Sequence, residues 1–455
     1  MIEIGPWTGR ADVLAIARGS DEVRMSDAAR SRIRAAHEVM AASAENRPVY
    51  GRSTGVGANV AIRRGGGQAA FDRDLLLSHA LTAGPHLPAA AVRAMLAVRL
   101  RQLADGRSGI SPAAADALCG LLDRADLPAI GSWHAVGTGD LGALATVGLA
   151  LPEGDLQPGD ALPLLSSSAL TIGRAALEHA AANSWWDAAI QVAGFTADVL
   201  DAAPEAWDPD AVGASPGNRE TAIALQAARR SGTKDRRSLV PQDAYGLRTA
   251  PQQLGQLRAT LDRLARELDR AITHGPENPA VLLERSTVAH HGAFHVLALT
   301  AAIDGVTAAL ARAAGGSLQR LGLLLQPRGR APAFLAAAPG RSGLLALEYV
   351  AASALAEARA SAVPAGLQTV SLGLGVESDA GHAPQAVAQL ERSVPAARVV
   401  VAAELLAAVR AAHRAGHPVD DRFAGLAAIA RDPPPDLGSL LVRAQRLLTG
   451  GPSGE

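Results

Sequence analysis

The chain has 455 residues, 48% hydrophobic and 19% charged, with a formal net charge of −1. That length suits one large domain or two to three ordinary ones, and the balanced charge lacks the basic surplus that nucleic-acid binding needs. Cys119 is the single cysteine, so an internal disulfide and a cysteine-based metal cluster are excluded, and a reducing, cytoplasmic setting is expected.

Aromatics make up only 3% of the chain. A core of Ala, Leu and Val follows, which favours closely packed helices over β-sandwiches. In chain order, the segment 26–44 reads as a helix with Ser26 as its N-cap, stopped by Arg47-Pro48. The glycine-bearing stretch from Tyr50 to Gly57 then reads as a loop able to approach a ligand closely. Helices are expected over 68–83, 88–103 and from Pro112 to about 124, with an irregular glycine-rich stretch over 128–140. A loop with Asp140 as N-cap leads into a helix over 141–150. Long apolar-periodic helices are expected over 169–199, 217–231, 251–272, 292–325, 343–362 and 394–413. A last helix spans 437–448, and residues after Thr449 are expected to be unstructured.

Little alternates with period two, so strands should be short, and no solenoid-type repeat is present. The fold class is therefore mainly α, with a loop-rich part over 1–165, a long-helix bundle over 166–432 and a C-terminal helix and tail over 433–455. The N-terminus shows no basic-then-apolar signal pattern. The stretch 344–355 is interrupted by Glu348, and no run is expected to approach the ~20 residues that span a bilayer. Expected partners are a small-molecule substrate, with neither nucleic acid nor membrane. The lone lysine, Lys234, sits in the polar Thr233-Lys234-Asp235-Arg236 loop, which leaves little room for Schiff-base chemistry.

Several constellations carry potential chemistry. Tyr50 beside its glycine-rich loop is a candidate acid or base if its phenol pKa is lowered; the same tyrosine also reads as packing. His79 could bond a substrate ring or be a structural histidine. Gly137-Thr138-Gly139 allows a tight turn around a hydroxyl. Gln242, Tyr245 and Arg248 precede the proline-started helix at Pro251. There the planar guanidinium could take a carboxylate or simply be solvated. Glu377 lies among glycines, where an acid is commonly a solvated loop residue. His290, His291 and His295 suggest a metal by spacing alone, yet no carboxylate or cysteine set completes a site, so no metal is expected.

Together and in this order, these residues resemble the aromatic amino acid lyase (histidine/phenylalanine ammonia-lyase) family. Its Tyr-Gly-x-x-Thr-Gly-Phe-Gly loop is matched by residues 50–57 with Val56 for Phe. Its Leu-x-x-Ser-His-x-x-Gly segment is matched by 75–82 with Thr82 for Gly. Its Arg-x-Asn-x-Leu-Ala-x-Gly-x-Ser-Gly segment is matched by 99–109 with Arg101 for Asn. Its Gln-Asp-x-Tyr-Ser-x-Arg-x-x-Pro-Gln block is matched by 242–252 with Gly246 for Ser. Glu277-Asn278-Pro279 and Ala293-Phe294-His295 echo Asp-Asn-Pro and Asn-Phe-His. The likeness runs from about Ser26 to about Arg410.

The resemblance implies an almost all-helical fold, a homotetramer, and active sites that combine loops from three subunits. It also implies a methylidene-imidazolone (MIO) electrophile, formed when an Ala-Ser-Gly tripeptide cyclises and loses two waters. By the same match Tyr50 is the base, Arg248 binds the substrate carboxylate, Tyr245 and Gln242 support the site, His79 contributes selectivity and Glu377 contacts substrate. The electrophile-forming tripeptide is Gly137-Thr138-Gly139 here, and dehydrated threonine would give a hindered ethylidene. Ser166 and Ala293 stand where the family has supporting amides, each such donor being worth ~2.7–4 kcal/mol in a transition state. Ser166 is accordingly expected to contact substrate. The leading expectation is an ammonia-lyase-like enzyme working by acid–base elimination, addition or cyclisation without standard MIO and with no cofactor. The alternatives are a true lyase or aminomutase with a threonine-derived MIO-like group, and a non-catalytic partner on the same fold.

Overall fold

The computed structural model describes residues 1–19, 22–63, 67–229, 242–328, 332–432, 434 and 436–449. The Lys234 loop and the tail beyond Thr449 lie outside the described residues. The chain is mainly helical, and among the described residues the strands, three or four residues each, form three two-stranded sheets. Ile2–Ile4 pairs in parallel with Val23–Met25, while Ala83–His86 with Gly131–Trp133 and Ala280–Leu282 with Thr287–Ala289 pair antiparallel. The buried positions are dominated by alanine, leucine and valine, as the scarcity of aromatics requires.

Contacts divide the chain into two units, each discontinuous in sequence. The first comprises residues 1–177, 264–303 and 364–387; the second comprises 178–263, 304–363 and 388–455.

Most helices lie where their sequence signals put them. Ser26 caps the helix Asp27–Asn46 by accepting the Ala29 N–H at 3.1 Å. Ala169–Val199 and Leu437–Leu448 match their expected bounds. Three expectations need correction. The helix expected over 68–83 ends at His79, because residues 83–86 leave it to pair with 131–133. The helix expected over 394–413 runs from Ala383 to Ala415 and passes through Pro395; a proline costs a helix one donor and local crowding, and here buried neighbours such as Leu390, Val394 and Ala397 outweigh that loss. Finally, helix Leu297–Leu325 is long and apolar enough to cross a membrane by length and composition, with a mean hydropathy of 1.4. Isolated charges such as Asp304 and Arg320 break the apolar run, yet the mean over an 18-residue window stays high despite them. Of that window 61% is buried in the chain, as in a core helix.

Candidate active site

The Tyr50 loop is held by its neighbours on both sides. Val49 is fully buried with Ala36, Met40, Val281 and Val288, a burial worth about 1.5–3 kcal/mol. Its carbonyl accepts the N–H groups of Arg52 and Ser53 at 3.1 and 3.0 Å, which folds the chain back on itself. The Tyr50 N–H donates to His290 Nε2 at 3.1 Å. Burial and the nearby charges of Arg47 and His291 hold the His290 pKa below its ordinary value, which keeps that nitrogen an acceptor. Across the turn, the Gly57 N–H donates to the Tyr50 hydroxyl at 2.8 Å.

Tyr50, His79, Thr138, Gly139, Ser166 and Glu377 line one cavity of about 470 Å³ in the first unit. Leu75, Leu141, Leu162 and Phe294 supply apolar wall, and Asn278 adds an amide. The mix of apolar wall and a few convergent polar groups is that of a small-molecule site.

Gly137, Thr138 and Gly139 form the turn into helix Leu141–Ala150. Gly137 and Gly139 have φ of +104° and +117°, a region that side chains rarely tolerate. A Cβ on Gly137 would stand 2.7 Å from the His382 backbone nitrogen. The turn is pinned at both ends: Val136 O accepts the His382 N–H at 2.8 Å, and the Asp140 N–H donates to Ser167 O at 2.7 Å. Asp140 occupies the expected cap position, but its side chain makes no cap bond to that helix. Its carboxylate instead accepts the Thr171 N–H and hydroxyl, both at 2.8 Å, and so caps the first turn of Ala169–Val199. Inside the cavity the Thr138 hydroxyl donates to Glu377 Oε2 at 3.0 Å. Glu377 reaches this position through a tight hairpin in which Leu372 and Glu377 exchange backbone bonds at 2.8 and 3.3 Å.

The Tyr50 phenol pKa lies above its ordinary value, chiefly through burial, with the Glu377 charge adding to the rise against the Gly57 bond. The condition of a lowered pKa is not met, and the phenol is protonated at neutral pH. Ser166 is also committed to structure. Its hydroxyl donates to Asn278 O at 3.2 Å and accepts the Asn278 N–H at 3.1 Å, so it secures the cavity wall. His79 ends its helix with Nδ1 2.9 Å from Leu75 O. With Nδ1–H donated there, Nε2 is the acceptor of the neutral ring.

Beneath the wall, Arg99 and Glu277 form a fully buried fork with contacts of 2.6 and 3.0 Å. Gln102 accepts the Ser167 hydroxyl at 2.6 Å. These side chains fix the 166–167 and 277–278 segments that face the cavity. Sequence reasoning named Asn278 only as part of a motif echo and His290 only for its spacing. The signal that could have flagged them is their neighbourhood: both sit in segments that return to the Tyr50 loop.

Gln242, Tyr245 and Arg248 belong to the second unit. Arg248 lies over the Tyr245 ring, 4.8 Å from its centroid, and Nη1 donates to Gln242 Oε1. Tyr245 is 66% exposed. The backbone beneath is anchored by Trp207 Nε1 donating to Leu247 O at 2.8 Å. Arg320 donates to Gly246 O at 3.2 Å while paired with buried Glu404 at 2.7 Å. Among the described residues no group of three or more His, Cys, Asp or Glu could hold a metal. His295 lies 3.3 Å from Asp379. Cys119 is buried with its thiol pushed up to about 12.

These residues depart from the set that the resemblance associates with standard MIO. Thr138 replaces the serine, Ala293 has no amide, and Ser166 spends its hydroxyl on the Asn278 backbone.

Comparison with known proteins agrees with the architecture. Histidine ammonia-lyase of Symbiobacterium thermophilum is 29% identical over 452 residues, covering 90% of this chain and 87% of its own. That of Deinococcus radiodurans is 29% identical over 433 residues, covering 87% and 82%. Among solved structures, the fold is shared with phenylalanine aminomutase of Pantoea agglomerans (TM-score 0.88, 20% identity, 98% of both chains). It is shared equally with an ergothioneine-degrading ergothionase of Treponema denticola (TM-score 0.87, 20% identity, 98% of both chains). The family profile described as aromatic amino acid lyase matches residues 9–155 and 151–430. The chain therefore belongs to the aromatic amino acid lyase family, a family of carbon–nitrogen lyases.

Proposed function

We propose that this chain is a lyase that eliminates a leaving group from a small, carboxylate-bearing, amino acid-like substrate by acid–base chemistry, without standard MIO. The observation that carries the reading is the Thr138 hydroxyl bonded to Glu377 at 3.0 Å in the wall of the cavity. A hydroxyl that cyclisation and dehydration would consume has a hydrogen-bond partner here, which supports its use as a working polar group. Gly137 supports the same reading, since its backbone has no room for the alanine of the standard tripeptide.

In this reading the cavity binds the reacting part of the substrate, His79 contacts a ring or polar substituent, and Arg248 with Gln242 and Tyr245 takes the carboxylate. Those three residues come from the second unit, and a homotetramer of the kind the family resemblance implies would supply them from a neighbouring subunit. A cytoplasmic setting suits the lone buried cysteine.

The histidine ammonia-lyase relatives favour one rival, a threonine-derived ring. Intact-protein mass separates the two. The unmodified chain mass is expected; a mass lower by two waters, mapped to the peptide holding Thr138, overturns the MIO-independent reading.

A further inference from the structure

Building on that reading, we propose that the base of this cavity is Glu377 acting through the Thr138 hydroxyl, and that Tyr50 is its acid. Among the described residues lining the cavity, Glu377 is the sole carboxylate. The Thr138 O–H points its proton at Glu377 Oε2 over 3.0 Å, which leaves the threonine oxygen's lone pairs to receive a proton from substrate. A base in hydrogen-bond contact with a hydroxyl makes the two act as one proton acceptor.

Tyr50 is wired the opposite way. Its oxygen accepts the Gly57 N–H at 2.8 Å, so its own proton is the one to give. Burial raises the phenol, and Glu377 raises it further, because a phenolate would face a carboxylate in the same cavity. A group that holds its proton and faces a carboxylate bonded to a hydroxyl is placed as acid opposite a base.

The step balances. The substrate C–H bond breaks, its proton goes to Thr138 Oγ, and the threonine's own proton passes to Glu377. The electron pair left behind forms the C=C bond as the bond to the leaving heteroatom breaks, and that atom departs with the proton of Tyr50. Glu377 ends neutral and Tyr50 as phenolate, and water returns a proton from one to the other.

The test uses the full-length oligomer with L-histidine, L-tyrosine and L-phenylalanine, reading the α,β-unsaturated acid by absorbance across pH. Absence of turnover on all three overturns the proposed function itself. With turnover, kcat/KM is expected to fall only above the ordinary phenol value of 10.0, as Tyr50 loses the proton it gives. Glu377→Gln, which removes the proton acceptor, costs about 10²–10⁴-fold. Tyr50→Phe removes the alkaline limb. Thr138→Val matches Glu377→Gln, and the double variant is no worse than either single one, as for groups that work as a unit. Thr138→Ser, at unmodified mass, stays within about tenfold, the span of a single 1.36 kcal/mol step. Unchanged melting temperatures and product affinities separate these losses from misfolding. A rate that climbs with pH through the phenol range makes Tyr50 the base and overturns the inference alone. So does activity that survives in Glu377→Gln and is lost in His79→Asn.

Discussion

The residues that resemble a lyase active site fall into two groups built in contrasting ways. Tyr50, His79, Thr138 and Glu377 are half-buried around one cavity and tied to backbone or to one another. Gln242, Tyr245 and Arg248 form an open cluster: an arginine stacked on an exposed tyrosine, over an anchored backbone. The first group holds its hydrogen-bond distances within the fold, as the proposed proton transfer demands. The second presents its face outward, as the proposed carboxylate grip requires.

The comparison can be broken most severely at the cavity's support. Glu277→Ala leaves Arg99 buried and uncompensated, and should lower stability by about 3–5 kcal/mol in denaturant unfolding. A small change would mean that the fork does not hold the wall. The open group answers differently. Arg248→Ala is expected to leave the melting temperature unchanged and to weaken binding of a carboxylate ligand such as urocanate by about 1.5–3 kcal/mol, measured by calorimetry. Equal affinity would remove Arg248 from the site. The mildest test is Gly137→Ala, which forces a side chain into positive φ against the His382 backbone and should cost about 1–3 kcal/mol in thermal unfolding. No cost would show that the turn adapts freely.

Much of this was legible in the sequence. Ser26 before a run of helix formers, and the proline-started helices, follow from local rules, so they appear where propensity and capping place them. The Tyr50 loop and the block from Gln242 were recognisable because glycines and a tyrosine–arginine pair carry their geometry locally. What was hidden depends on distant partners. The string does not show that Ser166 bonds the segment at Asn278, more than a hundred residues away. Nor does it show the burial and the charge of Glu377 that raise the Tyr50 phenol. Pro395 reads as a helix start because a string shows its missing donor and not the buried neighbours that carry the helix through it.

Gly137 bears on redesign. His382, whose backbone nitrogen sits where an alanine methyl would go, is itself at φ of +49°, so neither side of the contact yields easily. The tripeptide is therefore not a cassette. Grafting Ala-Ser-Gly over residues 137–139 would supply the atoms of the standard electrophile without the space to fold it, and the 381–383 segment would have to be rebuilt in the same step.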